Sequence, residues 1–206
     1  INKYELEKFL YSNNIFLNST SDSEIILNIF YFYIIKYYKN TNNFLDISDE
    51  CILYSLKNVY ELCKGSFSVI IMISDYGLVF FRDKFGIRPL SYNINNDYIS
   101  ISSETTSFHG LKYSNVDNGE VCIVNKKCKI NKYKLYNEEL RPCIFEYIYF
   151  SNPESYINDI LVYNFREKVG EVIIKKIDEK ILNKIDIVVP IPLTSIISAT
   201  VISNIL

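Results

Sequence analysis

Apolar residues recur at helical spacing over residues 2–11 and again over 47–63, where Ile52, Leu53, Leu56, Val59, Tyr60 and Cys63 fall on one face. Between them, Ser21-Asp22-Ser23-Glu24 opens a third helical stretch running to about Lys39. Serine at a cap with glutamate three residues on is the pattern of a capping box, which satisfies two otherwise orphaned backbone donors. The period then changes. Runs at 67–74, 78–82, 90–94 and 98–103 are β-rich and are split by Asp75-Tyr76-Gly77 and Asn95-Asn96-Asp97. Residues 121–124 and 130–135 predict a further hairpin turning at Asn125-Lys126-Lys127. Antiparallel strands behind a helical front end predict α+β layers.

Residues 136–143 are polar, carry Pro142 and are the best linker candidate. Beyond them the pattern predicts a short aromatic strand on which Tyr147 and Tyr149 alternate, a helix near 159–180, a strand at 185–189 and a helix starting at 195. That order is the beginning of a parallel α/β domain. The expected division is therefore 1–135, a linker at 136–143, and 144–206.

Composition narrows the class more than the chemistry. The 206 residues suit one large domain or two small ones, with 22% charged and 49% hydrophobic residues and a net charge of −2. No basic stripe suggests nucleic acid as a partner. The longest apolar run, 25–35, is broken by Asn28 and falls well short of the ~20 residues a spanning helix needs, so no membrane is expected. Five cysteines form no C-x-x-C pair, and no export signal leads the chain; both fit reduced thiols and a cytoplasmic location. Lys outnumbers Arg 18 to 4 and Ala199 is the single alanine, a signature of A- and T-rich codons. The 18 tyrosines therefore carry little weight as a binding surface. The chain opens on Ile1 and closes inside an apolar periodic segment, as a piece cut at both ends would.

Four blocks taken together carry a resemblance: Thr20-Ser21-Asp22-Ser23-Glu24-Ile25; Phe81-Arg82-Asp83 running to Gly86-Ile87-Arg88-Pro89-Leu90; the stretch from Cys143 through Ser151-Asn152-Pro153-Glu154-Ser155 to Tyr163; and Pro190-Ile191-Pro192. In this order they resemble the glutamine-dependent amidophosphoribosyltransferases over essentially the whole chain. The resemblance implies an N-terminal-nucleophile sandwich of the class II glutamine amidotransferase type, followed by the start of a type I phosphoribosyltransferase domain. It also implies a two-part reaction in which ammonia from glutamine displaces pyrophosphate from phosphoribosyl pyrophosphate, in a homo-oligomer when intact. Asparagine synthetases carry a similar Arg-Asp to Pro-Leu block. A different class II amidotransferase, or a non-catalytic remnant, is therefore the alternative.

By the same resemblance Asp22 holds the α-ammonium of glutamine, for which a charge-assisted hydrogen bond is the strong choice. By its residue type alone it is an acid favoured in a helix's first turn. Thr194 and Ser195 match the phosphoribosyl pyrophosphate site, with Thr194 beside its Mg²⁺; Ser195 serves equally as a helix cap. Leu193 stands where an acidic residue is usual. Tyr149 is either a core aromatic or a coupler of the two active sites. The Arg82 to Leu90 block, Ser102-Ser103-Glu104 and Asn118-Gly119-Glu120 are expected to be scaffolding, and His109 a surface residue. Cys143 matches an iron–sulfur ligand of some members, but a cluster needs four ligands, so no cluster is expected. The family's terminal cysteine nucleophile has no match here. Purified as it stands, the 206-residue chain is expected to hydrolyse no glutamine above the buffer rate, and measurable hydrolysis would overturn that expectation.

Overall fold

The computed structural model describes residues 1–41, 47–95 and 97–206, so Asn96 of the expected Asn95-Asn96-Asp97 turn lies outside the described residues. Three helices come first: α1 (Lys3–Ser12), α2 (Asp22–Thr41) and α3 (Asp49–Leu62). Strands follow as β1 (Ser68–Ile73), β2 (Gly77–Arg82), β3 (Ser91–Ile94), β4 (Ile99–Ser102), β5 (Ser114–Asn115), β6 (Glu120–Asn125) and β7 (Ile130–Lys134). Then come β8 (Tyr156–Ile157), β9 (Ile160–Leu161), α4 (Val162–Ile174), α5 (Glu179–Leu182) and α6 (Ile196–Ile205). No helix among the described residues is long and apolar enough to cross a membrane.

The chain forms two compact units. The first comprises Ile1–Leu90, Ile94–Ile99 and Val116–Arg141. Its sheet is antiparallel in the order β1-β2-β6-β7, with Phe81 opposite Val121 and Val79 opposite Ile123. Strand side chains alternate between faces, so these four residues project to one side. There they meet Ile25, Ile29, Ile52, Leu56 and Val59 of α2 and α3 in a shared core. Each such fully buried aliphatic side chain contributes about 1.5–3 kcal/mol. Ser48 caps α3 by accepting from the Cys51 amide at 3.2 Å.

A polar knot closes one end of this sheet. Arg82 is buried, and its guanidinium donates to Arg88 O at 2.8 Å, Val116 O at 2.7 Å and Gly86 O at 2.5 Å. Next to it the buried Asp83 carboxylate accepts from the amides of Phe67, Phe85 and Ile87 at 3.3, 2.9 and 3.1 Å. Gly86 makes the turn possible: its φ is +59°, and an added Cβ would lie 2.9 Å from atoms of Asn118 and Leu140. Asn118 then donates to Lys84 O at 3.0 Å and to Glu138 O at 2.7 Å. The two blocks expected to be scaffolding in this unit therefore meet in one place.

The second unit comprises Ser91–Asn93, Ser100–Asn115 and Pro142–Leu206. It contains the β3–β5 pairing, a 3-10 turn at Thr105–Phe108, the β8–β9 hairpin and α4 to α6. That hairpin turns at Asn158 and Asp159, both at positive φ, where Asn and Asp suit a two-residue turn.

Three expectations are corrected here. The aromatic stretch is not a strand: Glu146–Phe150 is a π-helical turn. The β propensity of its Tyr, Ile and Phe is overridden because Arg166, not a neighbouring strand, takes up the carbonyls of Tyr147 and Ser151, both at 2.8 Å. Residues 185–189 are also not a strand. A strand needs a partner, none pairs with them among the described residues, and Ile187 and Val189 stand 77% and 74% exposed, as do Ile191 and Leu193 at 81% and 80%. Finally, the capping box is only half made. The Ser21 hydroxyl accepts from the Ser23 amide, whereas Glu24 reaches past Ser21 to the amides of Asn18 and Ser19, both at 2.7 Å.

Two outcomes follow for stability. Arg82→Ala strands three carbonyls, and urea unfolding is expected to show a loss of about 3 kcal/mol or more. The second concerns Asp49, whose carboxylate accepts from Tyr133 Oη at 2.6 Å, Asn131 Nδ2 at 2.9 Å and Tyr76 Oη. Burial pushes its pKa up, but the three hydrogen bonds outweigh burial and hold it below the usual carboxylate value. Its stabilisation is therefore present above the unfolded pKa of about 4 and lost as pH falls through the lower folded value. Asp49→Asn is expected to cost about 1 kcal/mol at pH 7 and to flatten the stability loss below pH ~4 in urea melts at stepped pH.

Candidate functional site

Asp22 is the first residue of α2 and its side chain is 52% exposed. The loop before it is held from two sides. Lys3 Nζ donates to Thr20 O at 2.6 Å, and Glu24 accepts from Asn18 and Ser19. Those bonds, led by the Asn18 amide, keep the Glu24 carboxyl below its usual pKa, so the loop clasp is ionised at neutral pH. The result is a fixed, solvent-facing carboxylate at a helix start.

That carboxylate borders a cleft of about 430 Å³ between α2 and the β1 strand, lined by Ile1, Ser23, Ile26, Leu27 and residues 66–72. A carboxylate at this edge suits a cationic group entering the cleft. Cys63 lies near Asp22, and burial pushes its thiol up to about 12. Such a thiol is protonated at neutral pH and is not a nucleophile.

The remaining candidates belong to the second unit and are described by themselves. Tyr147 is buried; its ring lies 4.9 Å from that of Phe165 and its hydroxyl donates to Ile157 O at 3.4 Å. Tyr149, two residues on in the π-helical turn, is 60% exposed and meets Phe150 edge-on. Single π-helical turns are frequent at functional sites. Thr194 is half-buried and precedes α6. Ser195 occupies the cap position of α6, but its hydroxyl donates back to Ile191 O at 2.6 Å rather than capping a helix amide. The Pro192–Leu193 peptide is cis. His109 is exposed and ends the 3-10 turn at a left-handed φ of 49°. Cys143 is a half-buried free thiol. No group of three or more His, Cys, Asp or Glu among the described residues is placed to hold a metal.

Sequence patterning missed one polar cluster in this unit. Glu104 Oε2 accepts from the Asn152 amide and from Ser155 Oγ, both at 3.1 Å. Thr105 Oγ1 accepts from the Tyr156 amide at 2.8 Å. Arg166 completes the cluster, and its signal was available: it falls on the buried face of α4 with Val162, Gly170 and Ile174, at steps of four. A charge on an apolar helical stripe is a buried charge with partners to find.

Comparison with known proteins places these features in a family. Residues 1–110 match the model of the glutamine amidotransferase domain. An amidophosphoribosyltransferase of Saccharomyces cerevisiae is 32% identical over 92% of this chain and 39% of its own length. One from Escherichia coli is 32% identical over 100% of this chain and 42% of its own length. Among solved structures, the glutamine phosphoribosylpyrophosphate amidotransferase of B. subtilis, in complex with ADP and GMP, superimposes with a TM-score of 0.78 at 25% identity, covering 98% of this chain and 41% of that one. A structure described as the allosteric regulatory enzyme of purine biosynthesis gives 0.79 at 25% identity, covering 99% and 40%. The chain thus spans about two fifths of the length of these relatives. With more than half of its residues matched by that model, the chain belongs to the glutamine amidotransferase domain family.

Proposed function

We propose that this chain carries the junction of an amidophosphoribosyltransferase. Residues 1–135 contribute to a glutamine-hydrolysing domain, 136–143 link, and 144–206 begin a phosphoribosyltransferase domain. In the whole protein, water converts glutamine to glutamate and ammonia. The ammonia nitrogen then attacks the anomeric carbon of phosphoribosyl pyrophosphate, pyrophosphate leaves, and 5-phosphoribosylamine forms for purine synthesis. The protein acts in the cytoplasm as a homo-oligomer. The free cysteines agree with a reducing compartment.

What supports the glutamine half is the half-exposed Asp22 carboxylate at the edge of the cleft beside β1, in the motif that carries the resemblance. In a partly desolvated cleft a charge-assisted contact to such a carboxylate is worth about 1.5–3 kcal/mol. Thr194, Ser195 and the first amides of α6 are assigned to pyrophosphate, which a helix start suits by its unpaired donors and dipole. Tyr149, exposed on its π-helical turn, is assigned to coupling between the two reactions.

Mg²⁺ belongs to this reading only as a companion of the substrate. It takes oxygen ligands in octahedral array, usually one or two carboxylates plus phosphates. Around position 194 the chain offers neutral hydroxyls, and Leu193 supplies no carboxylate. These residues do not by themselves fit a resident Mg²⁺, so the work assigned to them is binding and orientation.

Two substitutions in the whole protein separate the roles. Asp22→Asn is expected to raise the KM for glutamine by roughly 10- to 100-fold while synthesis from free ammonia is unchanged. An unaltered glutamine KM would remove Asp22 from the site. Tyr149→Phe is expected to leave both half-reactions intact and to weaken the activation of glutamine hydrolysis by phosphoribosyl pyrophosphate; unchanged activation would end the coupling role.

A further inference from the structure

The cluster around Glu104 joins two parts of the sequence that the family match separates. Residues 102–106 lie inside the matched stretch of 1–110, and residues 151–198 lie outside it. Within the second unit they are linked by an unbroken run of polar contacts. Glu104 holds the Ser151-Asn152-Pro153-Glu154-Ser155 turn by the Asn152 amide and the Ser155 hydroxyl, at 3.1 Å each. Thr106 Oγ1 also lies 3.3 Å from Ser155 Oγ.

The turn in turn starts α4. Ser155 O accepts from the Val162 amide at 3.0 Å and Pro153 O from the Tyr163 amide at 2.8 Å, so two orphan donors of that helix are satisfied by the turn. One turn further along α4, the buried Arg166 donates to Tyr147 O and Ser151 O, which brackets the π-helical turn bearing Tyr149. On the other side of α4, Ser198 Oγ of α6 donates to Arg166 O at 2.7 Å. The two helices touch backbone to backbone there: a Cβ on Gly170 would sit 2.7 Å from Ser198 O. α6 begins immediately after Thr194 and Ser195.

We propose that Glu104 is a positioning residue that couples the amidotransferase-matched stretch to Tyr149 and to the Thr194–Ser195 end of α6, acting through the 151–155 turn and α4. Two features favour a relay over a plain brace. The bonds of Glu104 to the Asn152 amide, of Arg166 to Tyr147 O and Ser151 O, and of Ser198 to Arg166 O all engage backbone, and Gly170 meets Ser198 O directly, so a shift of the turn is passed to backbone at each stage. Moreover, one helix, α4, holds both the π-helical turn and α6. Moving the turn therefore shifts both together. The physical relay rests on the contacts alone; its functional meaning rests on the reaction proposed above.

The test uses Glu104→Ala, which removes the acceptor, and Glu104→Gln, which keeps an oxygen in the same place. In hydrogen exchange on this chain, Glu104→Ala is expected to speed exchange about tenfold at Asn152 and Tyr156 and also at Ala199, whose amide bonds to Ser195 O. Amides of α2 and α3 should be unchanged, and Glu104→Gln should restore the wild-type pattern. A perturbation that stops at Tyr156, or one that spreads equally to α2 and α3, would overturn the relay. In the whole protein, Glu104→Ala is expected to keep glutamine hydrolysis and ammonia-dependent synthesis within about twofold. The share of glutamine nitrogen recovered in phosphoribosylamine should fall roughly tenfold. An undiminished share would overturn the coupling role. A wild-type protein lacking both half-reactions would overturn the functional assignment instead, and the exchange experiment would still decide the relay.

Discussion

A buried guanidinium cannot be left without partners, and in the first unit that single requirement at Arg82 dictates the surrounding chain path. Its three forks aim at carbonyls contributed by residues 86, 88 and 116, so the loop after β2 has to curl back and the approach to β6 has to arrive beside it. Asp83 does the complementary job for the amides of the same loop. The helical layer is tied in as well, since Tyr60 of α3 donates its hydroxyl to Arg82 O at 2.5 Å. Burial holds that phenol well above its ordinary pKa, so it remains a donor at any physiological pH. Apolar burial supplies most of the driving force, but it is non-directional. The polar knot supplies the direction.

The helices and the antiparallel sheet were legible because each is encoded locally. The core stripe of α3 is visible at steps of three and four, and the β6–β7 hairpin announces itself by its polar turn. What could not be read was anything fixed by a distant partner. The Tyr147–Tyr149 stretch has the composition of a strand, and only Arg166, some twenty residues later, makes it a π-helical turn. Residues 185–189 have the composition of a buried strand, and no strand pairs with them among the described residues. At the candidate site, Asp22 was legible as a first-turn acid with a matching motif. The clasp that fixes its loop was not, because Glu24 bypasses the local cap for residues 18 and 19.

Codon bias sharpens the meaning of what escaped it. Lysine outnumbers arginine 18 to 4, and of the four arginines, Arg82 and Arg166 are buried. Both use the planar fork to satisfy carbonyls from separate segments. An ammonium on a flexible stem presents its donors from one point and cannot span such targets in the same way. The two units thus use the same device. Each is organised around one cation that the biased vocabulary could not supply more cheaply.

The exposed run from Ile187 to Leu193 has a further consequence. Four large apolar side chains at alternate positions form the kind of segment that recruits a second strand and seeds cross-β association. Here Pro190 and Pro192 interleave with them. In an extended chain residues 190 and 192 direct their amides to the same edge, and proline has no amide hydrogen to offer. One edge of the run is therefore chemically blunt over its last two donor positions. Proline at an edge is one of the ways a chain withholds donors from an incoming strand.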